Sequence, residues 1–548
     1  MLDAKLFRRK REKAKDGMVI PESIYNMRLY RCAIFASWAA VLCGYDSGFI
    51  SGTIVLDSFQ EEFGLKSMSK SRVTTVKANI ISLFHVGAFF GSLLIYPVNF
   101  YRGRRFGLII ASILIIAGSA IQLGANSTTG LAPLYAGRTI LGVGIGGVSN
   151  IAPMYTAEIA PPSIRGRLVG LYELSWQVGG IVGYFINYGT NKHLHGDQQW
   201  RVPIAVQLIP AGIFMTGLAF IVETPRWYFQ KHKIEKGIAA LTYLRKLPPD
   251  DEYLKYETGN LLAEAQEAEK KVGDGLLSPI RATFTNKNLR FRLLLSTSTF
   301  VLQNTSGINA VNYYSPTLFS AIGVSGTSSA LLSTGLFGVL KGVATTFWAF
   351  FLIDPLGRRQ SMFIGCPICI FCLFFIGSYI KIANPSSHAE LDAGGKATMA
   401  MFYIWCIAYS ISVSGIPWVY SSELFDQSVR TFAQACAATS NWFWAFIFAR
   451  FTGNMVNSMH AYGVFFFFGS GVVATVIIFY LFYPETSNVP VEDVGLLFTP
   501  GVPAWRAREY AMSVIEQRKI EGVEESEVEV LPTDMTKSSS SAHNVSND

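Results

Sequence analysis

Five ionisable side chains stand inside long apolar runs of this sequence: Asp46, Arg138, Glu173, Lys341 and Arg450. A charge at the centre of a bilayer is unfavourable by roughly 2.5–3.5 kcal/mol even on the most lenient scale, so such residues are functional candidates by default. Asp46, in Gly44-Tyr45-Asp46-Ser47-Gly48, is expected to pair with Arg138 of Gly137-Arg138-Thr139. Protonating Asp46 would free Arg138 and let the helices that carry them rearrange; a static salt bridge is the plainer alternative. Glu173 and Lys341 allow two readings: a helix-to-helix ion pair with Arg450 snorkelling outward, or two cations, Lys341 and Arg450, holding the carboxylate of an anionic substrate. Glu173 opposes the second reading unless it is protonated or paired. Gln303, Asn304 and Asn309 add a cluster of amides, each able to donate and accept hydrogen bonds without carrying charge.

The elements that position these residues follow from composition. Of 548 residues, 50% are hydrophobic and 15% charged, with 40 Phe, 24 Tyr and 10 Trp. Charged residues normally make up about a quarter of a soluble domain, so an ordinary globule is excluded. The apolar residues fall into twelve blocks of about 20, the length that carries a helix across about 30 Å of hydrocarbon. The blocks lie near 31–54, 78–98, 106–124, 131–155, 168–189, 202–222, 292–314, 329–353, 361–381, 399–421, 431–455 and 461–483. The fold class predicted is therefore an all-α polytopic membrane protein.

An even number of spans puts both termini on one side, and most of the 46 Lys and Arg fall there, which marks that side as cytoplasmic. The net charge of +8 thus reports topology, with some attraction of the Arg8–Lys15 cluster to anionic lipid, and not a nucleic-acid partner. The first span is expected to serve as its own insertion signal. All seven Cys lie in or beside apolar spans, so neither a disulfide framework nor a metal is predicted, although Cys366, Cys369 and Cys372 superficially resemble a cluster. Phosphate-cradling loops are absent, so neither ATP hydrolysis nor covalent catalysis is suggested; the sequence predicts no enzyme and no cofactor.

The chain also repeats itself at domain scale. Gly103-Arg104-Arg105 recurs as Gly357-Arg358-Arg359, Tyr155 to Glu158 with Arg165 recurs as Tyr420 to Glu423 with Arg430, and Glu223-Thr224 recurs as Glu485-Thr486. One order at a common offset of roughly 260 residues indicates a duplicated six-span unit, the build expected of an alternating-access transporter. The predicted organisation is a basic tail (1–30), a six-helix bundle (31–224), a cytoplasmic linker with short helices (225–291), a second bundle (292–485) and a mostly disordered cytoplasmic tail (486–548). The repeated Glu and Arg residues, together with Arg226, are expected to form a network that holds the cytoplasmic ends of the bundles together when the protein opens outward.

These motifs resemble those of the sugar porters of the major facilitator superfamily. Pro153-Met154-Tyr155-Thr156-Ala157-Glu158 through Arg165-Gly166, Glu223-Thr224-Pro225-Arg226-Trp227, Gln303-Asn304 through Tyr313-Tyr314, Pro417-Trp418 and Pro484-Glu485-Thr486 carry the likeness over nearly all of residues 25–487. Glu173 stands where hexose-binding members usually have Gln, and Asn304 replaces the second Gln of the usual pair. These departures are most like the fungal branch of quinate permeases and fructose–proton symporters. The resemblance implies two pseudo-symmetric six-helix bundles and a site made of Gln303, Asn304, Asn309, Trp418, Asn441 and Glu173. In that site amides would serve ring hydroxyls and an indole the ring's apolar face. It further implies Asp46 and Arg138 as the proton-coupling pair. A loosening of the helix at Gly307 would bring the amides closer together.

The expected function is uptake of a monosaccharide or related polyol across the plasma membrane, coupled to protons, by a monomer in the lipid bilayer. Quinate permeation, facilitated hexose diffusion and a non-transporting sugar receptor are the alternatives.

Overall fold

The computed structural model describes residues 20–385, 392–487 and 489–529. The Arg8–Lys15 cluster and the chain beyond 529 lie outside the described residues. The first five spans are Met27–Thr53, Lys70–Arg102, Arg104–Gln122, Ala132–Ile159 and Arg165–His193. Span 6 is two pieces, Gln198–Val206 and Leu208–Gly217, and four linker helices follow at Pro225–Gln230, Ile234–Arg245, Glu252–Val272 and Ser278–Thr285. Span 7 is broken into Lys287–Asn304 and Ile308–Ile322. Span 8 is Thr327–Phe347 with a π-helical turn at Trp348–Leu352, and span 9 occupies Ile353–Ala383 beyond a sharp bend at Gly357. Span 10 is Ala393–Ser412 and Ile416–Glu423, and Gln427–Phe482 turns at His460 to give spans 11 and 12.

The sequence explains where these helices start. Asn26 caps span 1 by accepting from the amides of Arg28 (2.9 Å) and Leu29 (3.2 Å), and Asn286 caps span 7 through Asn288 (2.9 Å) and Leu289 (3.4 Å). Eight described helical stretches are long and apolar enough to cross a bilayer, the longest being the stretch that turns at His460. Spans 5, 6 and 7 are not among them. Span 5 carries Glu173, Gln177 and Asn187, and spans 6 and 7 are interrupted, so the helices that escape an apolarity criterion include those richest in polar side chains.

One expectation about the tail is corrected. A 3-10 helix at Val491–Phe498 and an α-helix at Ala507–Glu529 occupy part of the segment read as disordered. Val494, Leu497, Ala507, Ala511 and Ile515 are buried, the last three on one helical stripe, which an averaged reading of a polar tail conceals.

Small residues set the spacing within the first half. A Cβ on Gly44 of span 1 would lie 1.9 Å from the carbonyl oxygen of Trp176 in span 5, and one on Gly179 of span 5 would lie 2.1 Å from that of Val41. Spans 2 and 4 interlock in the same reciprocal way, Gly91 against the Val143 oxygen (2.0 Å) and Gly146 against the Ala88 oxygen (2.0 Å). Backbones in such contact gain dispersion that lipid cannot replace. The halves meet through spans 1 and 7, 5 and 8, 2 and 11, and 4 and 11.

Gly146→Ala should therefore lower the melting temperature of the purified, detergent-solubilised protein by several degrees, as overpacking costs about 1–3 kcal/mol. Gly212→Ala, at a position where an added Cβ meets nothing within 4 Å, should leave it unchanged. Equal melting of the two variants would refute the close-approach account.

Candidate functional site

At the terminus-bearing end the two halves build the same device twice. Gly103 (φ 94°) and Gly357 (φ 77°) take a backbone conformation that favours glycine, and each turns the chain into the start of the next span. The Glu223 carboxylate then accepts from the amides of Arg104 (3.0 Å), Arg105 (2.9 Å) and Thr224 (2.9 Å). In the second half the Glu485 carboxylate accepts from those of Arg358 (3.1 Å), Arg359 (2.8 Å) and Ser487 (3.0 Å). Each acid neutralises the positive end of a helix dipole. The second Arg of each motif does the opposite job: Arg105 donates to the carbonyls of Leu218 and Ala219, and Arg359 to those of Tyr480 and Tyr483, the trailing carbonyls of the last span in each half.

The first Arg of each motif makes the ion pairs, Arg104 with Glu158 (2.8 Å) and Arg358 with Glu423 (2.6 Å). Each direct pair joins residues of one half, where the sequence had them clamp one half to the other. Among the charged groups at this end, the connection between halves runs through the linker instead. Glu264 of Glu252–Val272 pairs with Arg226 (3.0 Å) and lies within electrostatic range of both Arg165 and Arg430. Those two arginines come from opposite halves.

Midway along the bundle, Asp46 Oδ1 accepts from Arg138 Nη1 at 2.5 Å, and both side chains are buried. Arg138 is held on two further sides: Nε donates to the Ile80 carbonyl (3.2 Å), and the guanidinium carbon lies 4.8 Å from the Phe84 ring centroid. Asp46 Oδ2 is buried with no hydrogen-bond partner among the described residues. The pair therefore has one closed contact and one open oxygen, a geometry in which a proton can be accepted before the Arg138 bond breaks. Next to it, Tyr313 of span 7 directs its hydroxyl at Ser47 Oγ (3.4 Å) and packs edge-on against His85, whose ring also meets Trp442.

A small central cavity opens beside this pair, lined by Ser47 of span 1, Trp176, Gln177 and Tyr184 of span 5, Asn312 of span 7 and Lys341 of span 8. Asn312 Oδ1 faces Tyr184 Oη (3.4 Å) and Lys341 Nζ (3.5 Å), so one amide ties three spans together. Of the binding and charge candidates named from sequence, Lys341 alone lines this cavity. Glu173 reaches its edge by accepting from Gln177 Nε2 (2.7 Å). Gln303 donates to the Ser414 carbonyl (2.6 Å), and its side chain meets Tyr409, which also lies within electrostatic range of Glu173.

Span 7 breaks at Thr305 to Gly307 (φ 89°), and across the break the Asn309 amide donates to Asn304 Oδ1, whose own amide donates to the Phe300 carbonyl (2.8 Å). The break thus brings those two amides together and uses their hydrogen bonds within the span. Trp418 packs edge-on against Phe300 (4.8 Å between centroids), and Asn441 is half-buried beside Trp442. Arg450 stands apart from the cavity, within electrostatic range of Tyr314.

A family model described as sugar (and other) transporter matches residues 32–498. The chain belongs to that family. It is similar to a protein named quinate permease from Emericella nidulans, 46% identical over 491 residues, covering 89% of this chain and 91% of that one. A probable quinate permease of Neosartorya fischeri is 45% identical over 531 residues, covering 94% and 98%. Among solved structures, the major facilitator proton:xylose symporter XylE bound to 6-bromo-6-deoxy-D-glucose superposes with a TM-score of 0.72 at 24% identity, covering 86% of this chain and 99% of that one. An inward-open form of the E. coli xylose transporter gives 0.67 at 22% identity, covering 86% and 100%. The fold of this transporter is the major facilitator fold.

Sequence reasoning named Lys341 but gave the rest of the cavity lining of this sugar porter no role. Gln177 lies one turn beyond Glu173 and Asn312 nearly one turn beyond Asn309, so both follow from helical spacing once the first residue is chosen. Trp176, Tyr184 and Ser47 carry no comparable signal, because aromatic and hydroxyl residues at helical spacing are common in any packed span.

If the two carboxylate caps hold the fold of this transporter, Glu223→Ala and Glu485→Ala should each destabilise it by about 1–3 kcal/mol, the loss of buried amides' partners. Thermal melts of the purified variants check this, and wild-type melting in both would show that the caps contribute nothing.

Proposed function

We propose that this transporter carries quinate, or a closely similar hydroxylated ring carboxylate, into the cell across the plasma membrane together with protons. Its termini are cytoplasmic and it works as a monomer. The observation that supports the substrate class is the identity of 45–46% over about nine-tenths of the chain to proteins named quinate permease. A neutral monosaccharide is the alternative, favoured by the amides at 303, 304 and 309.

Support for coupling comes from the Asp46–Arg138 pair beside the cavity. An ionised acid in the membrane is tolerated while Arg138 is paired with it; a proton on Oδ2 removes the negative charge and with it most of the attraction. Arg138 then keeps only the Ile80 carbonyl and the Phe84 face, both on span 2, so spans 1 and 4 lose their main polar link. Substrate binding in the same neighbourhood would couple to that event, because Ser47 lies one residue from Asp46 and also lines the cavity. The interlocked glycines of spans 1 and 5 and of spans 2 and 4 keep each helix pair together while the halves rock. At the terminus-bearing end, Glu264, paired with Arg226 and within electrostatic range of Arg165 and Arg430, is the link that must part when the transporter opens inward.

Uptake of radiolabelled quinate, fructose, glucose and xylose in transporter-null yeast at about pH 5, with a pH electrode in the medium, tests both halves of the proposal. Quinate should accumulate and alkalinise the medium. Asp46→Asn should abolish alkalinisation and accumulation while preserving exchange of labelled for unlabelled substrate. Fructose uptake without quinate uptake would replace the substrate, and wild-type accumulation by Asp46→Asn would place coupling elsewhere.

A further inference from the structure

The cation that lines the cavity has no paired acid among the described residues. Lys341 is buried, and among the described residues no carboxylate lies within 4.0 Å of its ammonium. Its recorded hydrogen bond is the long one to Asn312 Oδ1 (3.5 Å). The groups that face it are few. From span 5 there are Glu173, within electrostatic range but beyond pairing distance, and the neutral Gln177 and Tyr184; from span 7 there is Asn312, and from span 10 the Cys406 thiol. The one acid of this set is engaged elsewhere, since Glu173 Oε1 accepts from Gln177 Nε2 at 2.7 Å. Arg450, the other cation that sequence offered for an anionic ligand, does not line the cavity.

A buried ammonium is strongly disfavoured unless charge and hydrogen bonds compensate it, and one long amide contact does neither well. Of the other two intramembrane cations, Arg138 has an acid, a carbonyl and an aromatic face, with only its Nη2 left without a partner among the described residues, while Arg450 has a buried Nη1 without one and stands away from the cavity. Lys341 has been left one contact and an adjoining cavity. Around that cavity stand the amides of Gln177 and Asn312, the hydroxyls of Ser47 and Tyr184, and the indole of Trp176. The cavity encloses only about 10 Å³ here, room for about one water, so a ring enters it only as the surrounding spans part; its lining then suits a ring with several hydroxyls and one apolar face.

We propose that Lys341, with Asn312 beside it, is the subsite for the substrate's carboxylate, so that the cargo supplies the counter-ion which the fold withholds. This rests on the transport function proposed above and deepens it: the substrate is a monoanion, and its charge is read at one residue. A neutral sugar filling the same space would leave the ammonium unpaired. Gln177 holds Glu173 aside, which keeps a second negative charge from competing for the lysine.

The test compares quinate with its methyl ester, a neutral near-isostere, in wild type, Lys341→Gln and Lys341→Arg. Transport kinetics are measured in cells and binding by Trp fluorescence of the purified chain. Wild type should take quinate in preference to the ester. Lys341→Gln should raise KM for quinate roughly 10- to 100-fold, the worth of a charge-assisted hydrogen bond, while changing KM for the ester little. Lys341→Arg should retain much of the preference. An equal loss for both compounds, or undiminished quinate transport in Lys341→Gln, would overturn the assignment while leaving quinate transport standing. Wild type that takes up no quinate defeats the proposed function itself. Should Lys341→Gln fail to fold, wild type decides: equal competition by quinate and ester overturns the subsite.

Discussion

The Asp46–Arg138 ion pair is the interaction on which the rest of the structure turns. Two opposite charges at the centre of an apolar bundle are stable only as long as they face each other, and their separation is far more unfavourable there than in water. Spans 1, 2 and 4 are arranged to keep them together: span 1 brings the acid, span 4 the guanidinium, and span 2 the carbonyl and ring that hold the arginine's other faces. The glycines of these spans and of span 5 hold span 1 against span 5 and span 2 against span 4, which fixes the helices that carry the pair. The single contact leaves one carboxylate oxygen buried without a partner among the described residues, and the proposed proton coupling rests on that oxygen.

The ends of the spans are governed by a second constraint, that helix termini leave amides and carbonyls without partners. The duplicated motif answers it in both halves with the same division of labour. Glu223 and Glu485 take the amides, Arg105 and Arg359 take the carbonyls, and Arg104 and Arg358 make the ion pairs with Glu158 and Glu423. This stiffens each half as a unit. The halves meet along packed span pairs, span 2 with 11 and span 5 with 8 the most extensive, with hydrogen bonds such as Ser92 to Thr439 and Trp442 to Ser149, and at the terminus-bearing end a linker helix sets Glu264 within electrostatic range of arginines from both sides. Stiff halves that meet around a central cavity are what rocking requires.

The twelve spans, the duplication and the Asp46–Arg138 pair were legible in the sequence, because block length, repeated motifs and charges in apolar runs each have one dominant physical cause. The break at Gly307 was legible as well, from a glycine among amides. The division of roles among the repeated arginines was not, since backbone partners leave no mark on residue type; Arg104 and Arg105 look alike until Leu218 and Glu158 are seen beside them. Nor was the cavity lining. Gln303, Asn304 and Asn309 drew the eye as a cluster, yet Asn304 and Asn309 bond each other across the break, while Asn312, inside the same motif but given no role, reaches Lys341. The buried stripe of Ala507, Ala511 and Ile515 was hidden by the polar residues around it.

The central claim is that substrate in the cavity and a proton on Asp46 are bound together. Calorimetric titration of the purified transporter with quinate, repeated in buffers of different ionisation enthalpy, measures this directly. The coupled mechanism predicts heats that vary with the buffer and correspond to net uptake of up to one proton per quinate over some interval between about pH 5 and about pH 8. Heats of quinate binding that are independent of the buffer throughout that range would contradict it.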